Sequence, residues 1–171
     1  VNVQAPTTDF GDSSRFASAS QGVNPALRMG ALLDAEFSAT TDPAATGDDI
    51  TGVDDEDGLN VQPMTAGQTV TFSAVVTNET GAVGYLSAWL DYNNNGVHSE
   101  GTERILTNRA IPTGTVNGLV EFTFTVPPSA VTGVPVGLRL RLSAPSGLGA
   151  TGANSMAGEI EDHMVTVLAP T

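Results

Sequence analysis

From Leu59 onward the chain repeats with a period of two, and that period dictates extended strands. Val70, Phe72, Ala74 and Val76 alternate with Thr71, Ser73 and Thr77, and Leu86, Ala88 and Leu90 alternate with Ser87, Trp89 and Asp91. Val120, Phe122, Phe124 and Val126 oppose Glu121, Thr123 and Thr125; Val136, Leu138, Leu140 and Leu142 oppose Gly137, Arg139, Arg141 and Ser143. Successive side chains leave a strand on opposite faces, so each run sets an apolar row against a polar one, as a half-buried strand requires. A shorter strand around Ile105 and Leu106 and a last one over residues 162–168 make six, parted by Gly, Pro and Asn turns at roughly the spacing of an antiparallel sandwich. The expected fold class is all-β: an antiparallel β-sandwich, Ig-like or jelly-roll-like, with a long acidic, loop-rich N-terminal segment. The helix candidate follows the N-cap and N1 pair Asn24-Pro25, running through Ala26 to Leu33 with Gly30 weakening it.

Before Leu59 turns and acids crowd together: Asp9 and Asp12 in DFGD, Asp34 and Glu36 in DAE, then Asp42, Asp48, Asp49, Asp54, Asp55, Glu56 and Asp57. From Asp34 to Asp57 nine carboxylates stand without a base. Such a run in isolation reads as a solvated, disordered tail, but Gly47, Gly52 and Gly58 break it, and a metal would neutralise it. The 171 residues fit one domain, with 1–58 as the acidic segment packed on the main strands of 59–171.

Overall the chain carries 19 acidic residues against six arginines and no lysine, a formal charge of −13. A field of that sign repels nucleic acid and anionic membranes, and no run of about 18 apolar residues offers membrane insertion. Zero cysteine excludes disulfides, zinc thiolates, iron–sulfur clusters and thiol catalysis; zero lysine excludes Schiff bases and Lys–Asn isopeptide links. A start at Val1 rather than Met is expected of a mature segment released from a longer exported precursor, and cysteine-free export points to a bacterial surface or secreted setting.

Asp91, Asn93 and Asn95 fall at i, i+2 and i+4 before Gly96, in the loop WLDYNNNG. Alternate residues of a tight turn point inward, so three side-chain oxygens converge where a hard cation wants six to eight oxygens at roughly 2.3–2.6 Å. The carbonyl of Val97 is the next ligand in line, and Glu103, with Glu100 nearby, is the carboxylate to close the shell. Strands flank the loop, which sets it apart from a helical EF-hand; an Asn-Gly hairpin turn at Asn95-Gly96 is the alternative reading of the same residues. The further metal candidates are Asp9 and Asp12, then Asp48, Asp49, Asp54, Asp55 and Asp57, and finally Glu159, Glu161 and Asp162 in GEIEDH. Alternation puts Glu159 and Glu161 on one strand face, and Arg139 and Arg141 are expected to pair with some of these carboxylates.

DFGD at 9–12, DAE at 34–36, GDD at 47–49, DDEDG at 54–58, WLDYNNNG at 89–96, RLRLS at 139–143 and GEIEDH at 158–163 stand in the order seen in GEVED domains. The chain resembles that family over nearly its whole length. It departs at Ile160, where Val is usual, at His163, where Tyr is common, and at Asn95, where Asp often precedes the Gly. The last change removes a formal charge from the calcium-like loop. The resemblance implies an extracellular, β-rich module of bacterial secreted or surface-anchored proteins and no specific reaction.

Nothing in the residues assembles an active site: His98 and His163 sit in acidic loops, and no nucleophile elbow, HExxH, phosphate loop or dinucleotide fingerprint occurs. The expected function is a non-catalytic structural or adhesive module that uses Ca2+ in place of disulfides, with neighbouring domains or identical copies as partners. One alternative is a self-assembling subunit of a filament, tube or layer, suggested by strand-like Val1–Val3 and the C-terminal MVTVL run. A carbohydrate-binding module is another, since Trp89 and Tyr85 share a face and could stack on a glycan of a host or cell-surface ligand.

Overall fold

A computed structural model describes residues 4–47 and 55–171. Val1–Val3, Asp48, Asp49 and Asp54 lie outside the described residues. In chain order the strands are β1 (Thr8–Phe10), β2 (Ala19–Gly22), β3 (Leu27–Met29), β4 (Leu59–Asn60), β5 (Met64–Thr65) and β6 (Thr69–Asn78). There follow β7 (Gly84–Leu90), β8 (Arg104–Ile111), β9 (Thr115–Thr125), β10 (Pro135–Ser143) and β11 (Gly152–Leu168). No helix occurs among the described residues.

The strands form two sheets. The larger has the order β1-β2-β11-β10-β7-β8, with β5 beside the end of β11. In the smaller, β9 runs along one edge of β6, and β3 and β4 share the other edge in succession. Pairing is antiparallel except where β11 meets β2 and β5. The all-β expectation holds, and all six expected strands are present as β6 to β11.

The helix expected after Asn24-Pro25 is instead a turn followed by β3. Asn24 accepts the Ala26 N–H on Oδ1 (3.0 Å) and the Leu27 N–H on its carbonyl (2.8 Å), which closes an Asx turn rather than a first helical turn. Leu27 and Met29 are then buried with Arg28 between them less so, a period of two, and Gly30 at φ +57° ends the strand.

Leu86, Leu90, Leu138, Leu140 and Leu142 meet Phe72, Val76, Leu27 and Met29 between the sheets, all fully buried. Phe72 lies edge-on to Phe122 (ring centroids 6.0 Å apart) and to Phe124 (5.2 Å). The larger sheet is buried on its other face too. Arg139 pairs in register with Trp89, and both are fully buried although they point away from the leucine row. Phe16 covers this face so closely that a Cβ on Gly137 would lie 1.6 Å from its ring. The N-terminal stretch is therefore part of the packing, and it contributes β1 and β2 to one sheet and β3 to the other.

Candidate functional site

Register decides where the acids of β11 go. Leu140 stands opposite Glu161 and Leu142 opposite Glu159, so both glutamates share the inward row with the core leucines, whereas Asp162 stands opposite Arg139 on the outer face. Glu159 and Glu161 are 0% and 1% exposed. Carboxylates so placed must find donors. Glu159 Oε2 accepts the backbone N–H of Met29 in a short hydrogen bond. Glu161 Oε1 accepts the Gly58 N–H at 2.8 Å, and its Oε2 lies 3.0 Å from His163 Nε2. A Cβ at Gly58 would fall 2.5 Å from Glu161 Oε1 and from Met29 Cβ, so only glycine lets the two tethering points approach.

Two more buried acids join them. Asp9 on β1 accepts the Ile160 N–H on Oδ2 (2.6 Å), and Asp55 accepts the Asp34 N–H on Oδ2 (2.8 Å). Burial pushes the Asp9 carboxyl well above the usual range, and Asp55, Glu36 and Asp12 add to the shift against the Ile160 N–H. Burial likewise raises Glu159, with Glu161 next in effect and Asp9 and Asp55 contributing. Asp9, Asp55, Glu159 and Glu161 thus form one electrostatic group. Glu159 Oε1 has no hydrogen-bond partner among the described residues. Asp57 is exposed and accepts the Ala31 N–H on both oxygens (3.1 Å each). Asp12 is buried on the Asp9 side of the cluster.

Asp162 belongs to a different arrangement. Arg139 donates Nε–H to its Oδ1 and Nη2–H to its Oδ2, both at 2.7 Å, and Ser13 N–H reaches Oδ2 at 3.1 Å. Burial alone would raise this carboxyl, but the guanidinium holds it below its ordinary value. The expected pairing of Arg139 with an acid is present. Arg141 differs: it grips Gln21 Oε1 (3.0 and 2.7 Å) and the carbonyls of Ser20, Gly149, Thr151 and Gly152. Burial and the neighbouring Arg139 push its pKa down to about 10, which leaves it charged at neutral pH.

The β7–β8 loop uses its oxygens on itself. Asp91 accepts the Asn95 N–H on Oδ1 (3.0 Å) and the Gly96 N–H on Oδ2 (2.9 Å), and Asn95 Oδ1 accepts the Val97 N–H (2.8 Å). Glu103 Oε1 accepts from Asn93 Nδ2 and Oε2 from the Ser99 N–H, both at 2.7 Å. Burial raises Glu103, with Asp91 adding. The structure therefore brings Asn93 and Glu103 together and folds Asp91 and Asn95 onto the loop backbone, with Val97 exposed. Trp89 is no glycan platform: it is fully buried, with Arg104 over its ring at 4.9 Å and its indole N–H donating to Glu100 Oε2 at 3.1 Å. Sequence reasoning missed Gln21, Ser13 and Gly58 as supports of the site, and no local signal marks them, since their partners lie 103 to 149 residues away.

Among the described residues no three Asp, Glu or His side chains converge at metal-ligand spacing. What they do form is a two-sheet, all-β domain with a strip of tethered interior carboxylates along its last strand. Residues 85–166 match the family model of the GEVED domain, a stretch that runs from β7 almost to the end of β11 and includes both the loop and the acids of β11. That is the family the order of the motifs led one to expect; the match takes in the motifs at 89–96, 139–143 and 158–163, and those at 9–58 lie outside it. No curated protein matches the chain.

Proposed function

We propose that this chain is a non-catalytic, calcium-stabilised structural or adhesive module of a bacterial secreted or surface protein. The observation that carries the reading is a charge imbalance in the interior: among the described residues Asp9, Asp12, Asp55, Asp91, Glu103, Glu159, Glu161 and Asp162 are buried, and the buried guanidinium groups are those of Arg139 and Arg141. Arg139 pairs with Asp162, and His163 Nε2 lies 3.0 Å from Glu161. A divalent cation that binds the folded chain and not the scattered ligands of the unfolded one adds its binding free energy to folding. With a Kd of roughly 10⁻⁴ to 10⁻³ M, about 10 mM calcium contributes on the order of 1.4 to 2.7 kcal/mol per site. For a domain of this size that is a rise of roughly 3–11 °C in Tm. Thermal melts with calcium, with magnesium and with chelator test it; identical melts in all three, with no calcium taken up on equilibrium dialysis, would refute the reading.

A second reading, a self-assembling subunit, draws support from β8 and the eleven-residue β9. Each lies at the edge of its sheet among the described residues, and β9 exposes Val116 and Leu119. Electron microscopy with and without calcium separates the two, because monodisperse particles under both conditions favour the isolated module.

A further inference from the structure

An edge strand whose backbone groups face solvent is a template for another strand, and the edges of this fold differ in how far they are blunted. β1 has three residues, and its Thr8 already bridges Glu36, whose N–H donates to the Thr8 carbonyl at 2.8 Å. β3, β4 and β5 have two or three residues each. β8 has eight, but two register shifts break its pairing with β7, and Asn108 within it stands at φ +44°. β9 pairs with β6 without a break from Leu119 to Thr125, and with no other strand among the described residues.

The ladder shows which groups of β9 are spare. Val75 donates its N–H to the Gly58 carbonyl (2.8 Å) and accepts the Gly30 N–H (2.9 Å), both away from β9. Backbone groups alternate sides along a strand, so Ala74 and Val76 turn towards β9, where Val120 and Gly118 stand in register with them. Val126 continues this even-numbered series, donating its N–H to the Gln68 carbonyl at 2.9 Å. The odd-numbered residues Leu119, Glu121, Thr123 and Thr125 therefore aim N–H and C=O at the open side, with their side chains exposed on the solvent face. At the next odd position Pro127 has no N–H, so the spare edge ends at Thr125.

This series is self-complementary. Laid antiparallel on a copy of itself with a two-fold axis at Phe122, it sets Leu119 opposite Thr125 of the second copy and Glu121 opposite Thr123 of the second copy, so that every spare group meets a spare group. An axis at Glu121 would bring two like charges face to face, and one at Thr123 would set Leu119 against a proline. We propose that β9 joins two copies of this chain into a two-fold dimer through residues 119–125, in the register centred on Phe122, making the two smaller sheets continuous. The proposal rests on the second reading, self-association, and narrows it: among the described residues a single long, unbroken edge closes a pair and leaves none to continue a filament.

Sedimentation equilibrium over a concentration series tests it, at about 0.15 M salt, where a Debye length of about 8 Å screens the overall charge of −13 but not adjacent side chains. The wild type is expected to dimerise reversibly. Thr123→Glu sets a carboxylate opposite Glu121 of the other copy at both symmetric places, and Thr123→Lys sets an ammonium there. Both variants lose the same exposed contact to the Thr71 hydroxyl (2.7 Å), so the difference between them isolates the charge. T123K should dimerise about fourfold or more tightly than T123E. Thr107→Glu, at an exposed position of β8, should leave the Kd unchanged. A T123K to T123E ratio near one, masses beyond the dimer, or dissociation by T107E alone overturns the β9 assignment and leaves self-association standing. A wild type monomeric throughout the series overturns both.

Discussion

Replacing Asp162 by Asn isolates the one buried ion pair of the outer face. Both side chains of the Arg139–Asp162 pair are 0% exposed, so solvent does little to screen them. In D162N the guanidinium keeps its Nη1 contacts to the Ala17 and Ala150 carbonyls, both 2.9 Å, but loses its counter-charge. Removing one partner of a buried pair costs about 3–5 kcal/mol. The two surviving carbonyls place this case near the lower end, at about 3–4 kcal/mol, or roughly 6–16 °C in Tm for a chain of this length. Urea unfolding is the assay, since guanidinium chloride would screen the effect; the midpoint should fall with the m-value unchanged. The double variant Arg139→Met with Asp162→Leu should recover part of the loss, because no buried charge is left alone. It will not recover all, because the Ser13 N–H then has no acceptor, at about 1–3 kcal/mol. A D162N variant within about 0.5 kcal/mol of wild type, or a double variant less stable than the single, would refute the claim that charge compensation holds this face together.

Two other perturbations report on the same layer. His98 is packed on Phe16 (centroids 4.1 Å apart), with Arg139, Asp162 and Asp91 around it, and burial followed by Arg139 holds its pKa down to about 4. Because the unfolded ring titrates near 6.5, the unfolded chain binds more protons between about pH 6.5 and 4, so this contribution to stability is complete above that window and lost on descending it, to about 3 kcal/mol. Stability against pH for wild type minus His98→Gln isolates the effect from Asp9 and Glu159, whose raised pKa values act in the opposite sense; a flat difference curve contradicts it. Gly137→Ala drives a methyl into the Phe16 ring, 1.6 Å from Cζ, at a cost of about 1–3 kcal/mol that Phe16→Leu in the same chain should partly relieve. Coincident melts of G137A and wild type would show that Phe16 is not seated as described.

The long strands were legible because their apolar residues recur every second position over seven residues or more. β1 to β5, at two to four residues, are too short for any period to register, and they exist because longer strands offer them edges. The outer row of β10 shows the limit most clearly. Gly137, Arg139, Arg141 and Ser143 read as a solvent face, yet the strand is buried on both sides from Val136 to Ser143. The cover comes from Phe16, Ala17, Ser20 and Gln21, some 120 residues away, and a pattern within one strand holds no trace of it. The loop at Asp91 was ambiguous for another reason. Lone pairs that suit a cation also suit backbone N–H groups, so Asp-x-Asn-x-Asn-Gly describes a closed Asx-type turn as well as a ligand set.

The stretch Glu159–Asp162 can then be understood as a fastening that the alternation of a strand makes possible. Its three acids and one backbone amide reach four separate pieces of chain: Glu159 takes the Met29 N–H, Glu161 the Gly58 N–H, Asp162 the Ser13 N–H, and the Ile160 N–H goes to Asp9. Those groups occupy strand ends, loops and a stretch of β11 beyond its pairing with β2, which ends at Ala157. Backbone donors at such places, buried and without a ladder, need acceptors. Carboxylates supply them on both faces at once, inward from Glu159 and Glu161 and outward from Asp162. The outward acid is compensated by Arg139, so that side of the fastening is closed by protein alone. The inward pair has no such guanidinium: Glu161 faces His163 Nε2 at 3.0 Å and Glu159 takes the Met29 N–H, so the same alternation that lets one short motif hold two layers closes its two faces by different means.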